Sequence, residues 1–450
     1  MKVSVIGLGK LGSPLAAVLA SKGHDVIGVD RNEQFVRALN EGRAPVVEPQ
    51  LQELIDASGE RLRATHSYEE AIPGSDISFV IVPTPSDKGG VFSNEWVIEA
   101  VRSIGRALRG CDRYHVVNIT STVMPGSTEG PIRQALEEAS GKRVGRDVGL
   151  CYNPEFIALG SVVRNMLYPD MILVGQSDEQ AGDVLEAVYR SSTENAPPVQ
   201  RMSLINAEIT KIAVNTYVTT KISYANMLAE LCEQLPGADV QVVTAALGKD
   251  SRIGSKYLTG ALGYGGPCFP RDNVAFSVLA ESLGVRSELP RATDKVNRHQ
   301  IDRLVAMVKN NLGGGKIAVL GLAYKPDTPV IDESQGIMIA RELAAQHRGV
   351  IVYDPLAMDN ARQALGDSVS YATGLADAVS QAGTLIVTTP DPAFRGLAAL
   401  LRERRDTTVI DCWRMLDAGD TDRLFQVGRG TDVDASLPGQ AEAEKTRAVA

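Results

Sequence analysis

Lys2-Val3-Ser4-Val5-Ile6-Gly7-Leu8-Gly9-Lys10-Leu11-Gly12 is the stretch from which the fold is read. A short apolar run rich in β-branched residues leads into glycines spaced GxGxxG. A helical stretch then reaches Lys22, and a second apolar run, Asp25 to Val29, stops at Asp30. Strand, glycine turn, helix, strand and acid is the order of a dinucleotide-binding βαβ unit, with the acid about twenty residues past the turn. Gly7 makes the turn, Gly9 lets a pyrophosphate approach the backbone, and Gly12 lets helix and strand pack closely. Asp30 is placed to bind a ribose diol, so NAD is expected rather than NADP.

More strands follow, each running into a polar or kinked loop. Ile77 to Val82 ends in Pro83-Thr84-Pro85, Val116 to Ile119 in Ser121-Thr122-Val123, and Val148 to Tyr152 in Asn153-Pro154-Glu155. In a parallel sheet these loops share the carboxyl edge, where ligands bind. Thr84, Thr122 and Glu155 are therefore candidates for contact with the cofactor or the reacting groups. Each is also a residue type that caps helices or fills loops.

After Val199 a helical pattern runs from about Ser203 to Gln234 and is stopped by Pro236-Gly237. It would be about 45 Å long, enough to bridge domains or subunits. Lys211 and Asn215 lie four residues apart on it, hence on one face. A lysine beside an amide can stabilise an alkoxide while hydride leaves the same carbon, although a solvated lysine fits the spacing equally. Arg252 and Lys256 can clamp a phosphate or a carboxylate.

The loop Gly263-Tyr264-Gly265-Gly266-Pro267-Cys268-Phe269-Pro270-Arg271-Asp272 follows. Its glycines permit sharp turns and close approach to a ligand, and its prolines stiffen the chain around Cys268. Val274, Val278, Leu279 and Leu283 repeat at helical spacing, which puts Cys268 at or just before a helix start, where a thiolate is favoured. A buried, inert cysteine in a tight turn is the bland alternative.

In the last third, a helical connector from about Ala292 to Leu312 ends in three glycines. A second strand and turn then open at Lys316, running through Gly321-Leu-Ala-Tyr-Lys325-Pro-Asp. The layout echoes residues 2 to 30 but lacks the three-glycine turn, which points to a second doubly wound domain binding something other than the dinucleotide. The tail from about Gly428 is polar and aperiodic, and is expected to be disordered.

The 450 residues are too many for one core. A hydrophobic share of 44% with 22% charged residues is that of a globular protein, and a net charge of −9 disfavours a nucleic-acid or anionic-membrane partner. Five widely spaced cysteines show no metal-ligand pattern, so no metal is expected. No apolar run reaches a membrane span, and a strand beginning at Lys2 leaves no room for a signal peptide. A cytoplasmic location is expected.

These motifs, taken in order, resemble the nucleotide-sugar dehydrogenase family typified by UDP-glucose and GDP-mannose 6-dehydrogenases, over about residues 1 to 427. The resemblance rests on Gly7-x-Gly9-x-x-Gly12, Val82-Pro-Thr-Pro85, Ser121-Thr-Val, Asn153-Pro-Glu-Phe156, Lys211-x-x-x-Asn215, Arg252-Ile-Gly254, Gly265-Gly-x-Cys268-x-x-x-Asp272 and Gly321-Leu-Ala-Tyr-Lys-Pro-Asp. It implies an α/β fold in which two doubly wound Rossmann-like domains are joined by a central helical domain with one long helix. The expected boundaries are 1–198 for the NAD domain, 199–295 for the helical, dimerising domain with the cysteine loop, 296–427 for the nucleotide-sugar domain and 428–450 for the tail.

The resemblance also implies a reaction, in which two NAD-dependent oxidations turn a sugar C6 alcohol into a carboxylate, as in polysaccharide biosynthesis. Cys268 would hold the aldehyde as a thiohemiacetal and then a thioester. Lys211 and Asn215 would stabilise and position the oxyanion, and Glu155, Thr122 and Asp272 would order or deprotonate the hydrolytic water. Cofactor contacts are expected from Gly7, Gly9, Lys10, Leu11, Gly12 and Asp30, and also from Pro83, Thr84, Thr122 and Arg271. Substrate contacts are expected from Glu155, Phe156, Lys211, Asn215 and Arg252, the last across a homodimer interface, and also from Lys256, Tyr257, Gly265 and Lys325.

The chain departs from the family pattern at Leu159, where many relatives carry a second glutamate, and at Met171, where arginine is common. Arg271 replaces a lysine, Asp332 a basic residue, Pro390 an aromatic, and Asp411-Cys-Trp-Arg414 a glycine-arginine turn. Most of these lie where a sugar or nucleotide would be read, so the sugar stays open. Two other readings remain: a two-electron β-hydroxyacid-type dehydrogenase, and a non-catalytic dinucleotide-binding regulator.

Overall fold

The computed structural model describes residues 1–157, 159–346 and 349–430, to which all counts below refer. It divides into two compact units, Met1–Val214 and Asn215–Ala450, with the division inside the 30-residue helix Leu204–Glu233.

The first unit is built on an eight-stranded sheet, comprising β1 (Lys2–Ile6), β2 (Asp25–Val29), β3 (Leu62–Thr65), β4 (Ile77–Val80), β5 (Val116–Ile119), β6 (Gly149–Tyr152), β7 (Ile172–Gln176) and β8 (Val199–Ser203). Their order is β3-β2-β1-β4-β5-β6-β7-β8. Every residue of β4, β5 and β6 is buried, as expected of strands covered on both faces by helices. Val3 and Val5 pack into the core on one face, with Leu15 and Leu19 of helix Gly12–Ser21. Ile6 packs on the other, with Val97 and Ile104 of helix Glu95–Ala107.

The expected parallel sheet holds for β1 to β6, but β7 runs antiparallel to β6, and β8 follows β7. The alternating exposure of β8 suits an edge strand and hides it in the sequence as a helix approach.

The second unit holds the rest of the long helix, the helices Val240–Lys249, Phe269–Ser282 and Glu288–Asn310, and a six-stranded parallel sheet. Its strands are β9 (Lys316–Leu320), β10 (Val350–Tyr353), β11 (Ser370–Tyr371), β12 (Ala382–Val387), β13 (Thr408–Asp411) and β14 (Arg423–Gln426). The order β11-β10-β9-β12-β13-β14 repeats the doubly wound pattern of the first six strands. The expected α/β class, with two such sheets and a helical region containing one long helix, is therefore what the chain adopts.

The two sheets differ at their acids. Asp30, after β2, accepts hydrogen bonds from the amides of Leu8 and Asn32 and stays half-exposed. Asp354, after β10, accepts from Leu322, Ala323, Leu356 and Ala357 and is 3% exposed. Its acceptor capacity is taken up by the chain, so only the first acid is left open to a diol.

Of the tail, Gly428–Gly430 are placed, the Gly428 amide on Glu233 Oε1 and the Gly430 amide on the Ala238 carbonyl. The expected disorder otherwise concerns residues 431–450, which lie outside the described residues. Among the described residues no helix is long and apolar enough to cross a membrane.

Candidate active site

The glycine turn takes its shape from close backbone approaches. Gly7 has φ +97°, and a Cβ there would lie 2.2 Å from the Ile81 carbonyl oxygen. A Cβ on Gly12 would lie 1.7 Å from the Gly7 oxygen. Gly9 has no atom within 4 Å of its Cβ position, so its backbone faces open space beside the start of helix Gly12–Ser21. Lys10 is exposed and Leu11 half-buried. Open backbone, a helix amino terminus and a half-exposed carboxylate on Asp30 fit a dinucleotide's pyrophosphate and ribose.

The loops beyond β4 and β5 are tied together. The Val82 amide donates to Ser121 Oγ at 2.9 Å, and the Thr84 hydroxyl donates to the Thr122 carbonyl at 2.7 Å. Pro83 is exposed between them. Glu208, wholly buried, accepts from the amides of Gly126 and Thr128 at 2.6 and 2.8 Å and so pins the loop that carries Thr122. Glu48 accepts from the amides of Gly160 and Val162 at 3.0 and 2.7 Å, fixing the segment after Glu155. Sequence reading missed both. Only for Glu208 was there a signal, its place three residues before Lys211 on the same helix.

Lys211 is buried and donates to the Glu155 backbone carbonyl at 2.7 Å, with its ammonium 4.8 Å from the centroid of the half-buried Phe156 ring. A solvated lysine is thereby excluded. The Glu155 side chain meets the Tyr189 hydroxyl at 3.2 Å. Burial pushes the Glu155 carboxyl up to about 7, and the Lys211 charge offsets this only in part. Leu159 packs against the apolar core of the same unit.

In the second unit, Asn215 Nδ2 donates to Asp272 Oδ2 at 2.6 Å, both residues being buried. Arg271 Nε stands 3.5 Å from Asp272 Oδ1. Cys268 is the N-cap of helix Phe269–Ser282, which starts three residues earlier than Asp272 and accommodates Pro270 in its first turn. Of the five cysteines, all thiols, Cys268 is the exposed one.

The glycines before it make close approaches to the protein itself. A Cβ on Gly265 would lie 2.3 Å from the Glu333 carbonyl oxygen, and one on Gly266 2.6 Å from the Tyr324 ring. The Gly266 amide donates to the Asp332 carbonyl at 2.8 Å. Lys325 follows Tyr324 and is half-buried. Arg252 points to solvent and forks onto the carboxylate of Asp250, with Lys256 and Tyr257 also exposed. Among the described residues no group of three or more histidines, cysteines or acids could hold a metal ion.

Three consecutive domain models of one family match the chain: the NAD-binding domain over residues 1–193, the central domain over 205–299 and the UDP-binding domain over 318–418. Over 421 residues the chain is 38% identical to the UDP-glucose 6-dehydrogenase AglM of Haloferax volcanii, covering 92% of this chain and 97% of that protein. The chain belongs to the UDP-glucose/GDP-mannose dehydrogenase family.

The UDP-glucose 6-dehydrogenase YwqF of Bacillus subtilis is 32% identical over 86% of this chain and 87% of its own. A UDP-glucose dehydrogenase structure from Pyrobaculum islandicum superposes with a TM-score of 0.86 at 35% identity, covering 95% and 97% of the two chains. As a UDP-glucose/GDP-mannose dehydrogenase family member, the protein is an NAD-dependent dehydrogenase of nucleotide sugars. For such an enzyme the chemically useful groups are a carboxyl that titrates near neutrality, a buried ammonium, a buried amide–carboxylate pair and an exposed thiol at a helix start.

Proposed function

We propose that this enzyme oxidises the C6 primary alcohol of a UDP-hexose to the carboxylate in two hydride transfers, with Cys268 carrying the carbon between them. The observation that carries this reading is the exposed Cys268 thiol at the N-cap of a helix whose first turn holds the Asn215-bound Asp272. The UDP-binding match over residues 318–418 and the names of the relatives support UDP as the nucleotide. Residues 1–198, 199–295 and 296–427 would form the NAD, helical and nucleotide-sugar domains.

Gly7, Gly9, Gly12 and Asp30 would hold the dinucleotide, with Lys10, Leu11, Pro83, Thr84, Thr122 and Arg271 around it. When bound, NAD supplies the hydride acceptor for each oxidation. Glu155, near neutral in its titration, takes the alcohol proton, while Lys211 and Asn215 stabilise the oxygen as negative charge develops on it. The Cys268 sulfur then bonds to the aldehyde carbon, giving a thiohemiacetal whose oxidation leaves a thioester. Asp272, with Glu155 and Thr122, takes a proton from water as it attacks the thioester carbon. The carbon–sulfur bond breaks, and the carboxylate leaves with the thiol restored. One alcohol, one water and two NAD give one carboxylate, two NADH and three protons.

Phe156, Gly265 and Lys325 are proposed sugar or nucleotide contacts. Arg252, Lys256 and Tyr257 face outward, which suits a reach into a partner protomer. A homodimer is proposed because Tyr217, Tyr224, Met227 and Leu231 expose 48–63% of their surface at helical spacing on the long helix. Unpaired cysteines support a cytoplasmic setting.

The test is a panel of nucleotide sugars with NADH counted per sugar consumed. Two NADH with a UDP-hexose is expected. One NADH, or turnover confined to sugars on another base, would overturn the reading.

A further inference from the structure

Behind Glu155 lies a chain of three buried polar side chains whose hydrogen bonds leave little freedom in where protons sit. Asn153 is 2% exposed, and its Nδ2 donates to the Leu173 carbonyl at 2.8 Å. A carbonyl can only accept, so this bond fixes the amide's orientation and leaves Oδ1 as an acceptor. The Tyr189 hydroxyl, on helix Glu179–Ser192 and 6% exposed, is within hydrogen-bond distance of that Oδ1. A phenol has one proton, and Asn153 Oδ1 claims it.

The same phenol oxygen lies 3.2 Å from Glu155 Oε1. With its proton turned to Asn153, the tyrosine presents a lone pair to Glu155. A protonated Glu155 completes the chain by donating to that lone pair. An ionised Glu155 either faces it or draws the phenol proton away and strands a buried amide oxygen, and either arrangement is costly. The groups that face Glu155 from the surrounding elements are Tyr189, from its helix, and Lys211, from the long helix. The lysine's only printed bond is to the Glu155 backbone carbonyl, and its charge alone favours the carboxylate.

We propose that Tyr189, oriented by Asn153, is a positioning residue that holds the Glu155 side chain as a neutral acid donating to the phenol oxygen, and so sets the pH at which Glu155 gains and loses its proton. This deepens the acid–base role given to Glu155 above and rests on it for its catalytic meaning. Burial alone would favour the neutral acid, but the directed chain makes its proton a donor along one defined line.

The test reads protonation directly and turnover separately. An infrared pH titration of the full-length protein follows the carboxylic C=O band that disappears in Glu155→Gln. In Tyr189→Phe, which keeps the ring and its packing against Phe79, the midpoint is expected to fall by about one pH unit, the worth of one buried hydrogen bond. An unchanged or raised midpoint would overturn the proposal, a raised one because it means the phenol donates to the carboxylate. In Asn153→Ala the freed phenol proton should turn to Glu155, so that adding Tyr189→Phe in that background raises the midpoint. The same sign in both backgrounds would also overturn it. The acidic limb of the kcat profile should move with the infrared midpoint. If the band shifts while the profile stays, the catalytic assignment of Glu155 fails and the tyrosine's hold on its proton stands.

Discussion

Asn215 donates its side-chain amide to Oδ2 of Asp272 at 2.6 Å in a buried setting, while Oδ1 of the same carboxylate accepts no hydrogen bond among the described residues. Half of this carboxylate is thus anchored and half is left able to accept, an arrangement suited to a water molecule. Removing the anchor leaves a buried charge short of a partner. Asn215→Ala is expected to lower stability by about 2–3 kcal/mol and kcat at least about tenfold. Asp272→Asn should fold normally and accumulate a covalent sugar adduct on Cys268. Thermal unfolding and intact-protein mass measure these, and an Asn215→Ala protein as stable as the parent would count against the pairing.

Cys268→Ser keeps the helix start but replaces the nucleophile with a far weaker one. It should bind NAD as the parent does, yet yield fewer than two NADH per sugar, with aldehyde detectable by trapping. Complete oxidation by this variant would falsify the covalent route.

Asp30 links the glycine turn to the proposed ribose site. Asp30→Ala removes the acceptor of the Leu8 amide as well as the partner of the diol. NAD affinity measured by calorimetry should fall by about tenfold or more.

The glycines separate by what they approach. Gly265→Ala would drive a methyl to 2.3 Å from the Glu333 oxygen and should cost roughly 1–3 kcal/mol of stability. Gly9→Ala meets no protein atom within 4 Å, so it should unfold at the parent's temperature while binding NAD more weakly. Equal NAD binding by Gly9→Ala would remove the pyrophosphate from that position.

Glu155 couples stability to pH. Its carboxyl is raised from 4.5 to about 7 by burial. A raised folded-state value means that the carboxyl's favourable contribution is full below the unfolded value and is lost as pH rises toward 7. Glu155→Gln cannot ionise, so the variant's melting temperature should gain on the parent's between about pH 4.5 and pH 7. A gap constant across that window would show that Glu155 is solvated.

Much was legible along the chain because its causes are local. The turn at Gly7, the apolar runs of β1, β4 and β5, the long helix and the helix start beside Cys268 all follow from steric rules and periodicity within a few residues. The reversal of β7 was not legible, because strand direction depends on where the chain returns to the sheet rather than on composition.

The supporting groups were hidden for a related reason. Glu208 and the Gly126 amide are 82 residues apart in sequence, and Glu48 and the Val162 amide 114. Nothing in either glutamate's neighbourhood marks it as buried or committed, and Tyr189 reads as one more apolar position on a helix.

By itself, then, the sequence determined which backbone positions must be glycine, which strands have two covered faces and which residue types could carry the chemistry, since short-range sterics and burial set these. Only the tertiary structure decided that Lys211 is buried against the Glu155 carbonyl, that Asn215 anchors Asp272, and that the acid of the second sheet is closed while that of the first is open. Those outcomes depend on hydrogen-bond partners brought together by folding, and the supply of such partners to a buried polar group is a property of the packed chain.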